Sequence, residues 1–219
     1  MKFHRWLVAL VFCLFAPSSR AFSADVTQPN PDQAMQKLTE GNKRFVTGLL
    51  SASHDVASRR SVVAKAQHPF AVIVGCSDSR VPPEFVFDQG LGDLFVVRLA
   101  GNAVDDFAVG SIEYALEHLG TTLVVVLGHK RCGAVGAALE QGKVEAHLEG
   151  LVKAIAPAVE KARGKEGDVW ENAIKENALM AAAALQASEP VIAPLVNAGK
   201  VRIVAAYYDL DTGVVTFLK

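Results

Sequence analysis

Four apolar, β-branched runs constrain this chain more than any other feature: Phe70–Gly75, Leu94–Leu99, Thr122–Leu127 and Val201–Tyr207. They are almost continuously apolar rather than alternating. That pattern means burial on both faces, as in a parallel sheet. Stretches of helical character separate them. Val104–Leu119 places Val109, Ile112, Ala115, Leu116 and Leu119 at helical spacing, and Ala134–Glu140, His147–Arg163, Val169–Ala187 and Pro190–Ala198 read the same way. Strands alternating with helices predict right-handed crossovers. The expected class is α/β: four parallel strands flanked by helices. Val214–Leu218, behind an Asp211-Thr212-Gly213 turn, is expected as an antiparallel strand at one edge.

Before the first strand, Pro31–Val46 reads as an amphipathic helix with Met35, Leu38, Phe45 and Val46 apolar. Pro31 suits its first turn. Thr47–Ser61 is expected to be irregular, with a second short helix before Gln67, so a helical arm spans about residues 31–66. Residues 1–23 read as a signal peptide. Lys2, His4 and Arg5 lead an 11-residue apolar stretch, Trp6–Ala16, too short to span a bilayer. Ser19-Arg20-Ala21 and Ala21-Phe22-Ser23 both suit cleavage, placing it near 21–24. No later run is long enough to cross a membrane. The mature chain, 24–219, is therefore expected to be one soluble domain, periplasmic or secreted. A net charge of -1 without basic runs excludes a nucleic-acid footprint.

Only Cys76 and Cys132 remain after cleavage, and by count alone an exported pair suggests a disulfide. Their neighbours point elsewhere. In parallel α/β folds, ligands bind beyond the carboxyl ends of the strands. Cys76 closes the first run there, and His129 and Cys132 follow the third. Two thiolates and one imidazole suit zinc, and three protein ligands leave a fourth position open. His129-Lys130-Arg131-Cys132 leads into a helix whose N-terminus favours thiolate. Either residue alone reads as ordinary core; two strand ends delivering Cys, His and Cys are harder to dismiss. Asp78 and Arg80, two apart on the loop after Cys76, can form a two-bond ion pair, though loop salt bridges are common. Gln67 offers a side-chain amide, but spacing alone makes it a solvated loop residue. Phe95 and Tyr114 can line an apolar pocket or be plain core. Gly133-Ala134-Val135-Gly136 is too little for a phosphate cradle. His54, His68, His118 and His147 read as structural or solvent-facing, and Pro82-Pro83 as stiffening a loop.

The segments Cys76-Ser77-Asp78-Ser79-Arg80, Asp93–Asn102 and Gly128-His129-x-x-Cys132-Gly133 resemble the β-class carbonic anhydrases. The likeness is dense from Gln67 to Ala138 and looser elsewhere. It implies a four-stranded parallel sheet with a fifth edge strand, an N-terminal helix wrapping a partner, and a homodimer or tetramer. It implies one zinc per subunit on Cys76, His129 and Cys132, and reversible hydration of carbon dioxide to bicarbonate and a proton. Asp78 would pair with Arg80 when active and swing onto zinc when inactive. Gln67, supplied across a dimer, would bind substrate, with Phe95 and Tyr114 as the apolar pocket and the Gly133 N–H helping. Ala100 stands where a larger Val can occur. Some members hold a non-catalytic bicarbonate with a tryptophan and a tyrosine. Trp6 and Trp170 lie in the signal segment and near the C-terminal helices, which implies the openly active subtype. Rival readings are a carbon disulfide or carbonyl sulfide hydrolase on the same site, a thiol enzyme using Cys76 and His129, a non-catalytic zinc protein, and the disulfide.

Overall fold

The computed structural model describes residues 27–51, 56–140 and 146–219. The expected signal peptide at 1–23, Trp6 and His54 lie outside them. Asn30 caps α1 (Pro31–Thr47): its side chain accepts from the Gln33 N–H, while the Gln33 side chain accepts from the Asn30 N–H. This reciprocal box satisfies two otherwise unpaired helix-end donors. The helix buries Ala34 and Leu38 and ends where Gly48 takes a left-handed φ of 72°.

Five strands make one sheet. They are β1 (Ala71–Gly75), β2 (Leu94–Arg98), β3 (Leu123–His129), β4 (Arg202–Tyr208) and β5 (Val215–Phe217). Their order is β2-β1-β3-β4-β5, with the first four parallel and β5 antiparallel to β4. The expected class holds. Alternation sends Val72, Val74, Val124, Val126 and Ala205 to one face, and Ala71, Ile73, Leu123, Val125 and Leu127 to the other. The first face is covered by α4 (Asp106–His118), α7 (Val169–Gln186) and α8 (Ile192–Asn197). The second is covered by α1 and by α3 (Pro83–Val86) with Phe87 behind it. Next to α7, α5 (Gly133–Glu140) and α6 (Leu148–Ala162) close a third cluster. It contains Cys76, Cys132, Val135, Ile155, Ile174 and Tyr207, at the carboxyl edge of the sheet.

Two expectations are corrected. Thr47–Ser61 is not irregular throughout: Thr47 ends α1, and Val56 begins α2 (Val56–Val63). This helix buries none of its residues, so it carries no apolar stripe to read. It is tied instead through Arg59, whose guanidinium donates to the Leu91 carbonyl and to the Asp93 carboxylate. Pro82-Pro83 does more than stiffen a loop. Pro83 opens α3, where its missing N–H and preset φ carry no penalty. His68, His118 and His147 are exposed, as expected. No described helix is long and apolar enough to cross a membrane.

Candidate metal centre

Cys76 directly follows β1, His129 is the last residue of β3, and Cys132 directly precedes α5. Their ligand atoms lie within 4.8 Å of one another. All three are buried, at 5%, 0% and 1% exposure, so bulk water cannot satisfy them. His129 Nδ1 lies 3.0 Å from the Lys130 carbonyl oxygen. A carbonyl only accepts, so Nδ1 carries the hydrogen and Nε2 presents a lone pair. That Nε2 is buried without a partner among the described residues. An orphaned buried polar atom costs about 1–3 kcal/mol, which an electron-pair acceptor would relieve.

Both cysteines are free thiols, against the disulfide expected from their count. The Cys76 thiol is pulled down, chiefly because the Cys132 S–H donates to it, with help from the backbone N–H groups of Asp78 and Gly101, the latter at 3.2 Å. Cys132 is pushed up, first by that shared hydrogen bond and then by burial. The N–H groups of Val135 and Ala134 at the start of α5 do pull Cys132 down, but they are outweighed. The pair thus shares one proton, and a cation is what would release it. Two sulfurs and a bare imidazole nitrogen fit a borderline-soft ion such as zinc.

Asp78 is gripped by Arg80 three times. Nε donates to Oδ1 at 2.9 Å, Nη2 to Oδ2 at 2.6 Å, and the backbone N–H to Oδ1 at 2.9 Å. This guanidinium holds the carboxyl well below the usual carboxylate range. Asp78 Oδ2 also lies 3.8 Å from His129 Nε2. The carboxylate is therefore beside the three-atom cluster while engaged by arginine.

Other expected residues lie elsewhere. Gln67 is exposed and precedes β1 at the edge opposite Cys76, with a strand of about 16 Å between. Phe95 pairs in register with Val72, about 10 Å short of the carboxyl edge. Its ring centroid is 6.4 Å from that of Tyr114 on α4, and Phe95 packs on the sheet face that α4 covers. Gly133, the first residue of α5, sits beside Cys132.

Three contacts escaped the sequence reading. Arg98 donates from Nε to the Cys76 carbonyl at 2.9 Å and from Nη2 to the Asp78 carbonyl at 2.6 Å, bracing the loop between them. Trp170 is not remote from the site: its Nε1 donates to the Cys132 carbonyl at 3.1 Å, and its ring leaves no room for a Cβ at Gly136 without crowding at 3.0 Å. Gly101 takes a left-handed φ of 64° to aim its N–H at Cys76.

A parallel α/β sheet with a buried sulfur–nitrogen–sulfur cluster and an arginine-held carboxylate at its carboxyl edge is the scaffold of a metal-dependent enzyme. The carbonic anhydrase family model matches residues 71–215. Carbonic anhydrase 2 of Mycobacterium tuberculosis is 40% identical over 188 residues, covering 84% of this chain and 91% of that one. The carbonic anhydrase of Mycolicibacterium smegmatis is 41% identical over 191 residues, with the same coverage of 84% and 91%. The solved structure of the Coccomyxa β-carbonic anhydrase in complex with acetazolamide superposes with a TM-score of 0.69 at 27% identity, covering 84% of this chain and 86% of that one. The chain belongs to the carbonic anhydrase family, in its β class.

Proposed function

We propose that this protein catalyses the reversible hydration of carbon dioxide to bicarbonate and a proton, with one zinc ion per subunit on Cys76, His129 and Cys132. The observation that carries this reading is the buried, unpartnered Nε2 of His129 facing two free thiols, with an ionised carboxylate 3.8 Å away. When bound, zinc supplies Lewis acidity that brings the pKa of water from about 16 to roughly 7. The chain's own groups do the rest. Asp78, kept ionised by Arg80, is a hydrogen-bond acceptor that orients the attacking water. Held so far below neutrality, it is a poor resting place for a proton, which must pass on to bulk buffer. Arg98 fixes the carbonyls on either side of this loop. The working state is the one in which Arg80 holds Asp78.

Gln67 starts a strand's length from its own subunit's cluster, so it completes the site of a second copy in a homodimer, with Phe95 and Tyr114 as apolar pocket residues. Gln67 would hold a substrate oxygen there, and the rings would supply the apolar pocket. The Gly133 N–H lies ready beside Cys132. The mature domain is exported, supported by the basic start and the short apolar stretch Trp6–Ala16. N-terminal sequencing of the exported protein should begin near residues 21–24.

Zinc content and carbon dioxide hydration, measured on one sample before and after dipicolinate treatment, test the activity. Turnover should fall with the zinc and return when it is restored. Undiminished turnover in zinc-free protein sinks the proposal.

A further inference from the structure

We propose that the acidic turn between β4 and β5 is a positioning device for the metal-ligand loop. Through Asp211, with Asp209 beside it, it holds Arg131 in the left-handed backbone region and so sets the placement of Cys132 relative to His129. This rests on those residues being metal ligands.

Arg131 has a φ of 53°. Its Cβ crowds the chain there, and an arginine has no short polar side chain to bond its own backbone in compensation. Of the other described non-glycine residues with positive φ, Asp88 and Asn102 are types that tolerate it and Ala146 is not. Arg131 is held from outside its own segment. Nη1 and Nη2 of Arg131 donate to the two oxygens of Asp211 at 2.9 and 2.6 Å. Lys130 Nζ lies 2.9 Å from both Asp209 and Asp211. The turn is itself stiff: Asp209 Oδ1 accepts from the N–H groups of Asp211 at 2.7 Å and Thr212 at 3.2 Å. The Lys130 N–H donates to the Tyr208 carbonyl at 2.9 Å, carrying the β3–β4 ladder past His129.

The same two residues face the metal centre on their other side. The Lys130 carbonyl accepts from His129 Nδ1, and the Arg131 carbonyl lies 3.5 Å from Arg80 Nη2. An extended residue after His129 would carry Cys132 on along the strand direction. A left-handed residue turns the chain back, so that Cys132 faces Cys76 and α5 can begin. Glycine would make that turn unaided. Arginine makes it only because its side chain is anchored.

Four proteins test this: wild type, Asp211→Ala, Arg131→Gly and the double variant. Zinc affinity is measured by chelator competition. Cobalt-substituted samples report site geometry through their thiolate charge-transfer and d–d bands. Asp211→Ala should weaken zinc binding about 10- to 100-fold and lower the d–d intensity. Arg131→Gly should lose less. In the Arg131→Gly background, Asp211→Ala should cost nothing more. If Asp211→Ala fails to fold, Asp211→Asn takes its place in the same comparison. Wild-type affinity and spectra in Asp211→Ala overturn the proposal, as does an equal loss in both backgrounds. A wild-type protein that binds neither ion sinks the zinc reading, and this one with it. Wild-type binding with indifferent variants sinks this one alone.

Discussion

Arg80 and Asp78 are a case where one side chain decides what another can do. The arginine commits both carboxylate oxygens and keeps them charged. In the proposed mechanism Asp78→Asn keeps the shape but turns an amide donor toward the guanidinium. Turnover should fall by about 10²-fold or more, with zinc content unchanged by elemental analysis. Loss of zinc instead would make Asp78 a structural residue. Wild-type turnover would remove it from the chemistry. Cys76, His129, Cys132, Asp78 and Arg80 were legible in the sequence because each lies on, or one to five residues past, the end of a recognisable strand. Local spacing alone brings them to the same edge. Trp170 and Asp211 were not, because they reach the centre across 38 and 80 residues of chain. Only the packing of α7 and the β4–β5 hairpin makes those contacts. Arg98 lay within a recognised segment, yet nothing local says that its guanidinium turns back onto two carbonyls.

Among the elements, legibility followed burial. The helices with apolar stripes and the strands with unbroken apolar runs emerged within a few residues of their bounds. The unburied α2 was expected only as a short helix somewhere before Gln67, since periodicity cannot set bounds without a buried face, and the four-residue α3 was missed because it is about one turn long. The central strand β3 is the clearest case of the first kind. All seven of its residues are buried, and Leu127 is wholly enclosed two positions before His129. Leu127→Ala should cost about 2–5 kcal/mol in chemical unfolding, and a loss below about 1 kcal/mol would contradict that packing. The β4–β5 turn owes its order to charge instead. Asp209 and Asp211 are held low, chiefly by Lys130 and Arg131 respectively. A depressed folded pKa adds stability that is fully present above the ordinary carboxylate pKa, about 3.9, and is lost as pH falls through the folded one. The gap in melting temperature between wild type and Asp211→Asn should therefore stay level from pH 8 to about 5 and narrow below about 4. A gap that widens on acidification would show that the carboxylate is not what the turn uses.

At the scale of the whole molecule, the sheet separates groups that the proposed chemistry needs together. The metal cluster lies at the carboxyl edge, Gln67 at the opposite one, and the Phe95–Tyr114 pair between edge strand β2 and α4. α4 also carries exposed rings: Tyr114 is 48% exposed, and Phe107, seven residues earlier, is 88% exposed. Placing both on one helix face leaves an apolar strip beside an unpaired strand edge. A second copy docked there by a two-fold axis would cover the strip and carry each subunit's Gln67 toward the other's cluster. The arrangement can be tested without solving the dimer. Gln67→Ala should lose substrate binding, and Cys76→Ser should lose zinc, so each is nearly inactive alone. Refolded together in equal amounts, half of the randomly formed dimers are mixed. In each mixed dimer one site pairs an intact cluster with an intact glutamine. Activity should then recover to roughly a quarter of wild type. If Gln67 served its own subunit, every site in the mixture would carry one lesion or the other. The mixture would then stay as inactive as its parents.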